Sequence, residues 1–153
     1  GWPVMTLWIA LDQVTRENGP VEFIRGSHKW DRWFQPFHAD ENGGVAREQP
    51  EAHPVFEPLP DFEAERDQHE ILSWDMEPGD VLAFHAMSMH GARGNISPTK
   101  RRRGYAIRYT GREAYYYIDH YLGSTLKRNP MRSPNLKTGD PMDSDEFPVV
   151  YCG

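Results

Sequence analysis

The sequence predicts an all-β dominated chain, a sandwich or barrel with long loops and few short helices. Short apolar runs recur along it, Gly, Pro and Asn turn signals separate them, and no stretch keeps a helical apolar period. At 153 residues the chain has room for one domain with a real core, so residues 1–153 are expected to form a single domain. Hydrophobic residues at 38% and aromatics at 12% suffice for packing, even at a mean hydropathy of -0.75.

In order, Thr6 to Val14 (TLWIALDQV) is an apolar run suited to a pleated surface. Asn18-Gly19-Pro20 is a turn signal, and Val21 to Ile24 (VEFI) alternates apolar and polar residues before stopping at Gly26-Ser27. The two runs read as antiparallel strands joined by a loop, with pairing to each other or to distant partners both open. Trp30 to Glu70 carries prolines, charges and aromatics without a period. It reads as a long excursion with one short helical turn, either a functional lid or a solvated insertion.

Glu77-Pro78-Gly79-Asp80 is a turn, Val81 to Ala86 (VLAFHA) a buried strand, and Met87 to Gly91 leads into another. Gly94-Asn95 and Ser97-Pro98 punctuate the next loop, and Arg102 to Thr110 is the following strand. Tyr115 to Tyr121 is a strand or a short helix. From Lys127 onward a polar, Pro-rich extended tail follows, with Phe147 to Tyr151 expected to dock on the body.

A net charge of -6 and a pI near 5.6 argue against broad nucleic-acid binding. The basic run Lys100 to Arg103 is short and reads as a solvated face plus one buried cation. Cys152 is alone and cannot form an internal disulfide, so a cytoplasmic setting is expected. No apolar run approaches the ~20 residues of a membrane span, so no membrane partner is expected. No signal peptide is visible. The chain opens at Gly1-Trp2-Pro3 without an initiator methionine, and so reads as a piece of a longer polypeptide.

His90, in Met89-His90-Gly91 at a strand end, could ligate iron, zinc or copper, although a lone histidine is more often structural. A non-haem Fe(II) site takes two histidines and a carboxylate on one face of the metal and leaves the other open for cosubstrate and oxygen. A 2-oxo acid cosubstrate would need a cation for its far carboxylate, and the planar fork of arginine fits that group. Arg101 and Arg102 follow His90 by eleven and twelve residues, across one loop, and either could be that clamp. His38-Ala39-Asp40 is the one H-x-D in the chain, but it lies in the excursion rather than on a rigid strand. His28, His53, His69 and His120 show no ligand spacing. Trp30, Trp33, Phe34 and Phe37 could line a substrate mouth or cover the sandwich, with cover favoured. Gly26-Ser27-His28 ends a strand or touches the pocket rim.

Four stretches carry a family resemblance: WIALDQVTRENGPVEFIRGSHKW from Trp8, WDMEPGDVLAFHAMSMHGARGN from Trp74, RRRGYAIRYTG from Arg101 and LKTGDPMDSDEFPVV from Leu136. Together they resemble the phytanoyl-CoA dioxygenase family, its bacterial members most. The resemblance implies a double-stranded β-helix (jelly roll), Fe(II), and 2-oxoglutarate as cosubstrate. It also implies hydroxylation of a small organic substrate with O2, giving succinate and carbon dioxide.

On that resemblance His90 is the distal metal histidine, and His85 a packing or supporting one. The cosubstrate arginine matches Arg101 counted forward from His90, and Arg102 counted back from the strand Tyr105 to Tyr109. Strand register favours Arg102, which would share a face with Gly104, Ala106 and Arg108. Trp8 matches a tryptophan lining the cosubstrate pocket, and reads equally as plain core. The family's H-x-D pair precedes the Trp8 strand, so the remaining two ligands are expected upstream of Gly1. Two rival readings remain: a non-catalytic jelly-roll binding module, and a cupin-like metal enzyme that does not use 2-oxoglutarate.

Overall fold

The computed structural model describes residues 4–34, 55–117 and 135–151. Phe37, the His38-Ala39-Asp40 motif, His53 and His120 lie outside the described residues. The chain groups into two compact units, one of residues 4–31 and 60–110, the other of residues 1–3, 32–59 and 111–153.

The first unit holds every strand found among the described residues: β1 (Val4–Ala10), β2 (Val21–Ile24), β3 (Ile71–Leu72), β4 (Val81–His85), β5 (His90–Ala92) and β6 (Gly104–Thr110). Helix among the described residues is limited to three 3-10 turns, at Arg16–Asn18, Ser27–Lys29 and Arg66–Gln68. The strands form two three-stranded antiparallel sheets, ordered β4-β1-β6 and β3-β2-β5. The all-β expectation is met.

β1 and β2 are not a hairpin. They sit in different sheets, because β1 finds both its partners far along the chain. The link between them bends at once after β1. Val14 makes an isolated bridge with Met76, Arg16–Asn18 turns, and Gly19 takes a left-handed φ of 78°. A Cβ on Gly19 would collide with the carbonyl oxygen of Arg93, so both conformation and space require glycine there.

The Glu77–Asp80 turn has Pro then Gly in its centre, with Gly79 at φ 99°. Asp80 donates its N–H to the Glu77 carbonyl (3.0 Å), and its side chain accepts from the Glu77 N–H (2.9 Å). This turn delivers β4 to β1, in the register Trp8 with Leu82 and Thr6 with Phe84. β4 is a strand as expected, but it is not buried. Leu82 packs on the core of Ala10, Val14 and Met76, whereas Val81 is 49% exposed. A continuous apolar run does not reveal that only one face is covered.

The two sheets meet through aromatic side chains. Phe23 of β2 is 8% exposed and lies edge-on to Phe84 of β4, with centroids 4.9 Å apart. Burying a ring of that size contributes about 1.5–3 kcal/mol. On the outward side of β2, Glu22 pairs with Arg66 (2.7 Å), Arg66 with Glu63, and Glu63 with Arg93 (2.7 Å). That chain of charges fastens the 63–66 segment beside β2 and the end of β5.

In the second unit Arg32 forks onto the Glu57 carboxylate and lies over the Phe34 ring, while Trp33 stacks on Phe56. Trp33 and Phe34 thus have packing partners within this unit. Tyr115 bridges Pro141, and Phe147 docks against Tyr116 with centroids 6.0 Å apart. Docking of the tail stops there. Val149, Val150 and Tyr151 are 51%, 70% and 84% exposed.

Candidate functional site

His90 opens β5, opposite Phe23 in the register, and its ring lies 5.8 Å from Phe23 and 4.8 Å from Phe84. The residue before it is held at both ends. The Met89 N–H donates to Ser27 Oγ (2.9 Å), and the Met89 carbonyl accepts from the Ile24 N–H (3.0 Å). Ser27 is buried, 4% exposed, and its hydroxyl donates to the Ile24 carbonyl (2.8 Å). The Gly26-Ser27 element therefore serves the site by fixing the approach to His90.

His90 Nδ1 lies 2.7 Å from the Ser88 carbonyl oxygen. A carbonyl only accepts, so Nδ1 carries the proton and Nε2 keeps the lone pair of the neutral ring. Metal-ligating histidines are held in this way, with the second nitrogen donating to a backbone carbonyl. His85 is different. Its Nδ1 accepts from the Met87 N–H (3.1 Å) and closes the turn after β4, and strand alternation turns it away from Leu82 and Phe84.

The other half of the site is on β1 and β6. Trp8 pairs with Ala106, Thr6 with Arg108 and Ala10 with Gly104. The Trp8 indole lies directly on Gly104. A Cβ there would overlap Cζ2 and Cε2 of the ring, so glycine is required by the tryptophan and not by its own φ. The Arg102 guanidinium stands over the same indole, 5.8 Å from the ring. The shared face expected for Arg102, Gly104 and Ala106 is present.

Arg102 is bracketed by its neighbours. The Arg101 carbonyl accepts from Asn18 Nδ2 (3.1 Å), and the Arg101 side chain is exposed. Asn18 is 0% exposed. It also donates to the Gln13 carbonyl (2.7 Å) and accepts from the Thr15 N–H (2.7 Å). On the other side, Arg103 grips Asp12 through Nε and Nη2 (2.9 and 2.8 Å) and through its backbone N–H (2.9 Å). Hydrogen bonds from the Arg103 guanidinium, then from its N–H, hold the Asp12 carboxyl down at about 2. The same pairing raises the pKa of Arg103.

Between the sheets is a cavity of about 500 Å³. Thr6, Trp8, Phe84 and Arg108 line it from one sheet, Val21 and His90 from the other. Arg102 does not itself line the cavity and reaches it through Trp8. Sequence reasoning placed Arg108 on this face without giving it a role. It missed Asn18 and Asp12, because Glu17-Asn18-Gly19 signals only a turn and Asp12 only a surface acid.

His90 suits one ligand position of an iron site. Among the described residues, however, no three His, Cys, Asp or Glu side chains come together to hold a metal. The described residues thus hold no complete set of metal ligands. No helix among them is long and apolar enough to cross a membrane.

The paired sheets with a cavity between them are the double-stranded β-helix of 2-oxoglutarate-dependent oxygenases. The crystal structure of the non-heme alpha ketoglutarate dependent carbocyclase SnoK from nogalamycin biosynthesis matches with a TM-score of 0.60. The match covers 97% of this chain and 49% of that one, at 23% identity, a level that speaks for the fold. The family model of phytanoyl-CoA dioxygenase (PhyH) matches residues 3–104, and the chain belongs to this family of iron- and 2-oxoglutarate-dependent oxygenases. The phytanoyl-CoA dioxygenase of Arabidopsis thaliana is 31% identical over 101 residues, 66% of this chain and 30% of the relative. Dioxygenase aneA of Aspergillus aculeatus is 29% identical over 128 residues, 80% of this chain and 34% of the relative. The chain thus spans about a third of the length of these curated relatives.

Proposed function

We propose that this chain carries part of the active site of an Fe(II)- and 2-oxoglutarate-dependent oxygenase that hydroxylates a small organic substrate. The carrying observation is that His90, with Nε2 left as its acceptor, and Trp8, with Arg102 above it, line one cavity from opposite sheets. His90 would hold the metal through Nε2, with further ligands from outside the described residues. The Arg102 fork would take the distal carboxylate of 2-oxoglutarate through two parallel hydrogen bonds. Trp8 would be the wall that aims the guanidinium and keeps water from it. Arg101 is the weaker candidate, because its side chain is exposed and only its backbone is engaged.

Iron, when bound, would supply the redox chemistry: one oxygen atom of O2 enters the substrate C–H bond and the other enters succinate, with carbon dioxide released. The test is succinate release from 2-oxoglutarate with Fe(II), using protein expressed from the complete gene. Turnover is expected in the wild type and none in His90→Ala. Undiminished turnover in His90→Ala sinks the assignment. Binding of 2-oxoglutarate without any turnover points to a binding module. Metal binding indifferent to substitution of both Arg101 and Arg102 points to a cupin-like enzyme.

A further inference from the structure

The arginines around the cavity are unequally engaged. Arg66, Arg93 and Arg103 each pair with a carboxylate, and Arg102 lies on Trp8. Arg108 lines the cavity, yet makes no ion pair or hydrogen bond among the described residues. No Asp or Glu lines the cavity among those residues. The surroundings are mainly apolar, with Phe84, Val21, Ala86 and Ala106 in the wall.

The position of Arg108 is specific. It is the cross-strand partner of Thr6, Thr6 is the partner of Phe84, and the Phe84 ring touches His90 at 4.8 Å. Arg108 therefore belongs to the row beside His90, whereas Arg102 lies six residues earlier, just before β6 begins at Gly104. The two guanidinium groups serve different ends of the site. Arg108 is exposed, as Arg101 is, but unlike Arg101 it lines the cavity wall, where a cation without a counter-ion can meet an anion in the cavity, and the arginine fork suits a carboxylate.

We infer that Arg108 is a substrate-recognition residue, and that the substrate is an organic acid whose carboxylate pairs with Arg108 while its apolar body lies against Phe84 and Val21. This rests on the cosubstrate reading above, since 2-oxoglutarate and substrate must share the cavity.

The test uses protein from the complete gene, saturated with 2-oxoglutarate and titrated with phenylacetate or with phenylacetamide, which keeps the shape and lacks the charge. The acid is expected to bind about tenfold or more tighter than the amide, the value of one charged hydrogen-bonded contact. Arg108→Gln should erase that preference. Equal binding, no binding of the acid, or a preference that survives Arg108→Gln overturns the inference alone. Affinity for 2-oxoglutarate is read in parallel. Its loss in Arg108→Gln would make Arg108 the cosubstrate clamp and overturn the inference. Failure of the wild type to bind 2-oxoglutarate overturns the cosubstrate reading and the inference together.

Discussion

Arg102 is positioned by its neighbours more than by its own contacts. A cation–π contact at a partly exposed site contributes about 0.5–1 kcal/mol. The hydrogen bonds of Asn18 contribute about 0.5–1.5 kcal/mol each, and leaving their buried partners unsatisfied costs more. The backbone on either side of Arg102, tied to Asn18 and to Asp12, therefore sets where the guanidinium can go. The Asp12 tie has a pH signature. Its carboxyl titrates at about 2 in the fold, below the ordinary value, so its stabilisation is complete above pH ~4 and is lost as pH falls through 2. Denaturation midpoints of wild type and Asp12→Asn should thus differ at pH 5 and converge between about pH 4 and pH 2. A constant difference across that range would show that Asp12 is not so held. Gly104 gives a second test at this scale. Gly104→Ala drives a methyl group into the Trp8 indole and should cost about 1–3 kcal/mol in urea unfolding, with weaker 2-oxoglutarate binding. Unchanged stability and affinity would mean that the indole does not rest there. Strand alternation made the face of Arg102 legible in the sequence. The reach of Asn18 to residue 101 was not, because nothing local to a turn asparagine announces a partner so distant.

At the scale of elements, short strands were hardest to read. β3 has two residues and β5 three, too few for any period to show. β1, β2, β4 and β6 were visible as apolar runs bounded by turn residues, but their partners were not. Pairing is settled by which faces meet across the cavity, and that is non-local. VLAFHA misled because an unbroken apolar run reads as buried on both faces. β5 is held by its pairing with β2, and a buried hydroxyl fixes the approach to it. Ser27 ties Met89 to β2, while the Glu22, Arg66, Glu63 and Arg93 charges on the outer side include largely exposed pairs worth about 0–1 kcal/mol each. Ser27→Ala leaves the Met89 N–H without its partner and should destabilise by about 1–3 kcal/mol, loosening metal binding at His90 as well. Calorimetric unfolding and Fe(II) titration of this variant check both. A variant with wild-type unfolding and wild-type metal affinity would remove Ser27 from the account.

Taken whole, the first unit is two small sheets closing on a cavity, with a histidine on one wall and an arginine-capped tryptophan on the other. Turn residues and short apolar runs made the all-β class legible. The joint pattern of Trp8, His90 and the arginine run made the jelly roll legible through its family. No three candidate metal ligands come together among the described residues, so the proposed metal centre rests on the placement of His90 alone. The most direct measurement is an anaerobic titration of 2-oxoglutarate into Fe(II)-loaded protein from the complete gene, followed by the visible charge-transfer absorption of the chelated cosubstrate. The band should develop in the wild type and in Arg101→Gln, need about tenfold or more cosubstrate in Arg102→Gln, and be absent in His90→Ala. No band in the wild type, or an undiminished band in His90→Ala, would contradict the account.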